Sequence, residues 1–383
     1  MRKISFLLGL VLLTFVIGMG SCATPKKDSQ AKPQPAPSLT HPISMVWQHK
    51  DDPSVDLSSL PKVPGLTVVS PCWYRVTGEY GKVEGAAVPG YTERAHKKGY
   101  QVWPLVTNSF DPDLTHKFLQ DPHAQRFIID QLLKEAETHG FDGINIDFEN
   151  IYEKDRDALT SFMAYLRRQS QKKGLILSMD VTAPSRNPNW SRCYDRKALT
   201  KSVDYLVLMT YDQFSRLSKV PGPTASFNWD EKKVQETLAQ GVPPEKLLFG
   251  LPLYMRLWEA PEGTKEYRAR TLGMWQAQQL IHDKKNLPTF RKTWLPEEKM
   301  TRVSYTEGGR DYVFWQEDAL SLYYKSRLAI QYQLAGTAAW RYGFETPDVW
   351  HLLEISQKNG AHASQQYCPV SYFYNNNHKI ILT

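Results

Sequence analysis

The sequence predicts an α/β protein: a single (β/α)8 barrel of the TIM type with a small α+β insertion between its seventh and eighth strands. Three observations lead there. Eight short β-type runs alternate with segments of helical period. No glycine-rich phosphate loop follows any of them, which disfavours the runner-up, a doubly wound open sheet. The fourth run lies within Phe141–Asn150 (FDGINIDFEN) and ends in acids, as barrel strands do where they carry chemistry at their C-terminal ends. At 383 residues the chain has room for one large barrel or two medium domains.

In chain order, Arg2 and Lys3 precede an apolar run from about Ile4 to Met19, too short for a comfortable membrane span. The run closes on Met19-Gly20-Ser21-Cys22, small residues before a cysteine. This resembles a bacterial lipoprotein signal over residues 1–21, with Cys22 as the lipidation site and an N-terminal lipid anchor holding the protein to a membrane outside the cytoplasm. Ordinary secretion and an uncleaved anchor are the alternatives. Residues 22–40 are rich in Pro, Lys, Gln and Ser and read as an extended tether.

The barrel is expected over 41–358. Its strands are Ile43–Gln48, Leu66–Ser70, Tyr100–Thr107, Gly143–Glu149, Leu175–Thr182, Val203–Tyr211, Lys246–Tyr254 and Gly336–Tyr342. A helix is expected over Pro122–His139, with Ala124, Phe127, Ile128, Leu132 and Ala136 on its apolar stripe and Gly140 as its stop. Asp155–Lys173 and Asp318–Leu334 follow the same logic. The insertion is expected at about 259–317, where Thr264–Leu272 and Arg302–Phe314 alternate polar and apolar residues. Residues 359–383 show no periodicity and are expected to be poorly ordered.

A formal charge of +7 and a pI near 9.0 suit anionic surroundings such as a cell wall or membrane surface. The Lys and Arg residues are scattered and form no nucleic-acid-binding motif, so no nucleic acid partner is expected. Beyond Cys22 the cysteines are Cys72, Cys193 and Cys368, without the spacing of a metal site or disulfide framework. A Cys72–Cys193 bridge stays open, and neither metal nor cofactor is expected. The 11 Trp, 20 Tyr and 15 Phe offer faces that stack on sugar rings, although most aromatics in any sequence are core.

With a two-residue period, the fourth strand sets Asn145, Asp147 and Glu149 on one face and Ile144, Ile146 and Phe148 on the other. A buried row of acids is costly unless it is paired or used. The bland reading, a surface strand with a polar outer face, fits a barrel strand less well. Asp147 and Glu149 sit roughly 7 Å apart on one side. They therefore cannot flank a sugar from opposite faces as paired glycosidase carboxylates do.

These residues resemble the Asp-Gly-x-Asp-x-Asp-x-Glu signature of glycoside hydrolase family 18, the chitinase-like enzymes. Asp142, Gly143, Asp147 and Glu149 match it, and Asn145 stands where most members have Asp. The departure is similar to the spore-cortex-lytic branch. Leu66–Pro71 with Trp73, Val102–Val106 and Trp315–Ala319 also resemble that branch. Met209-Thr210-Tyr211-Asp212 matches the family's Met-x-Tyr-Asp at the end of the sixth strand.

The resemblance implies a glycosidase of N-acetylglucosamine-containing glycans, peptidoglycan or cortex fragments first and chitin second, working by substrate assistance. A non-catalytic sugar-binding barrel is the competing class. Glu149 is implied as acid and base, Asp147 as the group orienting the acetamido N–H, and Tyr211 as the donor to the acetamido carbonyl. Asn145 is expected to donate a hydrogen bond to Asp147. Trp340 is implied as the floor under the cleaved sugar. Met209, Asp212, Gln213, Tyr254, Arg256, Trp73 and Asn108 are expected around the substrate.

Overall fold

The computed structural model describes residues 37–40, 42–49 and 56–359. The expectations for the signal segment, Cys22, most of the tether and the tail lie outside them. The first half runs β1 (Ile43–Gln48), β2 (Val68–Pro71), β3 (Tyr74–Val76), β4 (Val83–Gly85), α1 (Tyr91–Lys97), β5 (Gln101–Val102), β6 (Leu105–Thr107), α2 (Pro112–Gln120), α3 (Pro122–His139) and β7 (Gly143–Asp147). It continues with α4 (Arg156–Ser170), β8 (Ile176–Thr182), α5 (Arg196–Leu199), β9 (Tyr205–Met209), α6 (Phe227–Ala239) and β10 (Leu247–Pro252). Then come β11 (Tyr254–Pro261), β12 (Arg268–Gly273), α7 (Met274–Lys284), β13 (Arg291–Leu295), β14 (Met300–Glu307) and β15 (Arg310–Gln316). The last elements are α8 (Ala319–Gln331), β16 (Gly336–Trp340) and α9 (Asp348–Asn359).

The main sheet has the order β4-β3-β6-β7-β8-β9-β10-β16-β1-β2-β5, parallel apart from the β3–β4 hairpin. Its ends meet. β5 and β6 are two pieces of one strand, parted at Trp103-Pro104, where proline has no N–H to add to the ladder. Trp103 N still donates to Val69 O at 3.0 Å, and Pro104 O still accepts from Asn145 N at 3.0 Å, so neighbours are held on both sides. The second strand is similarly split into β2 and β3. All eight expected strands are therefore present as an α/β barrel, with the second and third in two pieces.

Alternation along the strands builds two cores. Ile43, Met45 and Trp47 of β1 join Val68, Trp103, Leu105, Val207 and Leu248 inside the barrel, while Val46 joins the layer between sheet and helices. Two glycines are required by this packing. At Gly143 a Cβ would lie 2.8 Å from the Trp103 ring and 2.7 Å from Ile176 O. At Gly336, with φ +152, it would lie 2.0 Å from Ile43 O, inside the seam that closes the barrel.

α3 starts at Pro122 behind an Asp121 cap and stops at Gly140 with φ 66. Its buried stripe differs from the expected one. Phe127 is 51% exposed and Ile129 takes its place. Centring the stripe on Ile128 and Leu132 leaves residue 127 beyond its edge and brings residue 129 in. The seventh strand ends at Pro252, so Tyr254 opens the insertion instead of closing the barrel strand. That insertion is a five-stranded antiparallel sheet, β12-β11-β15-β14-β13, with α7. α7 is the helix expected of an α+β insertion, whereas β13, like α1 and the β3–β4 hairpin, has no counterpart in the sequence reading. No disulfide joins Cys72 and Cys193.

Candidate active site

β7 and the three residues after it carry the centre. Ile144, Ile146 and Phe148 point outward and are buried, Phe148 lying 5.7 Å from the Phe118 ring and 5.8 Å from the Phe162 ring. Each such side chain stabilises the fold by about 1.5–3 kcal/mol. The inward face holds Asn145 and Asp147, with 0% and 5% exposure. Burial pushes the Asp147 carboxyl up from 3.8 to about 7. That is about 4 kcal/mol against the charged form, which the three apolar neighbours are large enough to offset.

Asn145 does not serve Asp147, contrary to expectation. Its Oδ1 accepts from Trp47 Nε1 at 2.9 Å and Ser70 Oγ at 3.3 Å, and its Nδ2 donates to Ser178 Oγ at 3.0 Å and Asp180 Oδ1 at 2.8 Å. That uses both donors and both acceptor positions of the amide. Asp147 Oδ1 is buried with no hydrogen-bond partner. Asp180 on β8, 1% exposed, was missed by the sequence reading. The signal was there: Ser178 and Asp180 alternate along an otherwise apolar strand, like Asn145 and Asp147.

Glu149 lies partly buried just beyond β7. Burial drives its carboxyl well above the ordinary range, and the negative Asp147, Asp180 and Asp212 push the same way. Asn108 was expected at the substrate, but it is fully buried and grips the backbone of Glu149. Its Oδ1 accepts from Glu149 N at 3.0 Å, and its Nδ2 donates to Glu149 O at 2.7 Å and Thr115 Oγ at 2.8 Å. Tyr194 OH donates to Phe148 O at 2.8 Å on the other side. The turn is completed at Asn150, with φ 52, a left-handed conformation that Asn tolerates.

The strand ends opposite supply the rest. Met209 closes β9 and is buried, and Tyr211 follows with its ring 6.2 Å from that of Tyr254. Burial raises the Tyr211 hydroxyl well above its ordinary range, so it stays a proton donor. Asp212, at φ 58, accepts on Oδ1 from Tyr254 OH at 2.8 Å and from the Arg256 guanidinium at 2.6 Å. Trp340 ends β16, half-buried, with its ring 5.7 Å from Trp47.

Two expected contacts are elsewhere. Gln213 turns to α6, where its Oε1 accepts from Ser226 N and Oγ at 2.9 and 3.0 Å, and it lines a cavity of about 480 Å³ together with Trp229, Glu298 and Trp315. Trp73 is a core residue, 4% exposed, edge-on to Tyr91 at 4.9 Å. The residue after a strand end points to the core as readily as to the mouth of a barrel, and here the β3–β4 hairpin turns it inward.

The model of glycosyl hydrolases family 18 matches residues 94–345, which takes in β7, Tyr211, Arg256 and Trp340. The chain belongs to that family. It is a glycoside hydrolase by membership, and its relatives include cortical fragment-lytic enzymes and a di-N-acetylchitobiase. It is 29% identical over 288 residues to the uncharacterized glycosylase YvbX of Bacillus subtilis, covering 73% of this chain and 81% of that protein. It is 27% identical over 252 residues to the cortical fragment-lytic enzyme of B. subtilis, covering 65% of this chain but only 57% of that longer protein. A chitinase from Chromobacterium violaceum shares the fold at TM-score 0.72 and 24% identity, over 84% of this chain and 99% of its own.

Proposed function

We propose that this family 18 hydrolase cleaves β-linked N-acetylglucosamine glycans, bacterial peptidoglycan or spore-cortex fragments, by substrate-assisted retaining catalysis. One observation carries the mechanism. Glu149 and Asp147 leave one strand end on the same face, and Asp212, the acid across the site, is committed to Arg256 and Tyr254. Among these acids none is left across the site from Glu149 to act as a nucleophile, which supports one supplied by the substrate.

In that scheme Glu149, its carboxyl raised by burial and by the negative Asp147, gives its proton to the leaving oxygen while the acetamido oxygen closes on the anomeric carbon. Asp147 accepts the acetamido N–H and faces the developing positive ring, and Tyr211 OH donates to the acetamido oxygen. Trp340 lies beneath the sugar. Glu149, now a carboxylate, takes a proton from the water that opens the ring, and the acid is restored. The similarity to the cortical fragment-lytic enzyme favours wall glycan over chitin as substrate.

Digestion of purified muropeptides and of chitin oligomers, with mass analysis of the products, separates the two substrates. Glu149→Gln is expected to lower turnover by about 10²–10⁴-fold or more while sugar binding survives. A thiazoline analogue of N-acetylglucosamine, a mimic of the cyclised intermediate, is expected to inhibit. Near-normal turnover of the variant, or indifference to the thiazoline, rejects the mechanism. Binding without cleavage of any of these glycans identifies a sugar-binding barrel instead.

The same reading places the enzyme outside the cytoplasm on a lipid anchor at Cys22. Cys22→Ser is expected to move it from the membrane fraction to the medium, or to leave the signal segment attached. Unchanged fractionation and mass reject the anchor.

A further inference from the structure

The carboxylate that Asn145 cannot provide is present on the neighbouring strand. β7 and β8 are parallel with Asn145 opposite Ser178 and Ile146 opposite Met179. One step further along that register brings Asp147 level with Asp180, across a strand spacing of about 4.8 Å. Asn145 and Ser178 both point into the barrel, since they hydrogen-bond each other there. Asp147 and Asp180, two residues on, share that inward face. Both are buried, at 5% and 1% exposure.

Two buried carboxylates side by side cannot both be ionised, so the pair holds one proton. The hydrogen bonds say where it lies. Asp180 Oδ1 accepts from Asn145 Nδ2 at 2.8 Å, which leaves Oδ2 as the oxygen able to carry a proton. Asp147 Oδ1 is the buried atom without a donor. Among the described residues, the groups acting on Asp180 are the negative Asp147, the hydrogen-bond donor Asn145 and the Trp47 indole N–H, which donates to Asn145 Oδ1 beside it, and Glu149, Tyr194 and Tyr211 feel the acids from neighbouring elements. No Lys, Arg or His among the described residues shifts Asp147 or Asp180; Arg196 acts on Tyr194, and Arg256 is committed to Asp212.

We propose that Asp180 is the proton-carrying partner of Asp147: its protonated carboxyl donates to Asp147 Oδ1, supplying from β8 the acid that β7 lacks at Asn145. Asp180 is a positioning residue, acting on the acetamido group only through Asp147. Burial raises the Asp180 carboxyl well above its ordinary range, the negative Asp147 adds to this, and Asn145 and Trp47 oppose it, in keeping with that protonation state. The catalytic part of the proposal rests on the functional reading above, and the protonation state does not.

Two measurements on the full chain test it. At mildly alkaline pH, the infrared difference between wild type and the nearly isosteric Asp180→Asn is expected to show loss of one protonated-carboxyl carbonyl band. Turnover supplies the second. Asp180→Asn keeps a donor and is expected to retain kcat within about tenfold, whereas Asp180→Ala loses about 10²-fold through a misplaced Asp147. Adding Asn145→Asp to the Asp180→Ala variant is expected to restore about tenfold by returning an acid to Asp147, a coupling that a packing role does not produce.

A spectrum in which Asp180→Asn loses no such band overturns the proposal, and it does so without any substrate. Failure of Asn145→Asp to rescue an otherwise folded Asp180→Ala variant, judged by its thermal transition and thiazoline binding, overturns the positioning role. A wild type that cleaves none of the glycans sinks the functional reading while the infrared result still decides the proton.

Discussion

Asp147 is placed where its charge is expensive, and that has a measurable consequence for folding. Its carboxyl is raised from 3.8 to about 7 by burial. The folded chain therefore holds this proton more tightly than the unfolded chain, and the contribution of Asp147 to folding stability falls as pH rises from about 4 to about 7. Asp147→Asn removes that penalty. The variant is expected to melt above wild type at pH 8 and level with it near pH 4, by a few kcal/mol at most. Calorimetry at the two pH values checks it, and a wild type that gains stability from pH 4 to 7 through this residue contradicts it. Activity is expected to fall in the same variant, since the acetamido group loses its acceptor.

At the scale of elements, the loop after β7 is held by side chains from three directions. Asn108 ties both backbone atoms of Glu149 to the end of the third strand, Tyr194 holds Phe148 O, and Ile151 N donates to Asn189 O. Asn108→Ala removes four hydrogen bonds and leaves Glu149 N and O and Phe110 N to find new partners. The expected cost is about 1–3 kcal/mol of stability. A misaimed acid is expected to lower kcat by about 10²-fold with KM little changed, since Asn108 itself is buried away from substrate. A variant whose KM rises while kcat holds would return Asn108 to the substrate.

For the whole molecule, insertion and barrel meet over a buried charge cluster beneath α6 and α8. Lys325 and Glu317 are fully buried and paired, Ser321 Oγ donates to Glu317 at 2.8 Å, and Asp230 lies close enough for Lys325 to act on its carboxyl. Both Asp230 oxygens lack hydrogen bonds, and burial raises that carboxyl well above its ordinary range. Lys325→Met strands two buried acids, so it is expected to destabilise by about 3–5 kcal/mol near neutral pH. The loss shrinks in acid, where both carboxyls are protonated. Denaturant unfolding at two pH values reads this, and an equal loss at both would assign it to packing alone.

The barrel and the acid-bearing strand were legible because each depends on local pattern. Alternating runs with helical stripes between them specify strands and helices residue by residue, and a polar row on β7 is visible wherever the chain folds. Glu149, Asp147 and Tyr211 sit at strand ends, where a barrel exposes whatever the sequence places there. Pairing across strands was not legible. Nothing local says that Asn145 meets Asp180 and not Asp147, that Asn108 grips Glu149, that Trp73 and Gln213 turn away, or that Pro104 splits the third strand while its neighbours stay bonded. Those contacts join residues 35 to 41 positions apart or more in the cases that set the site. They depend on register between strands, which the closed ring imposes and no single strand contains.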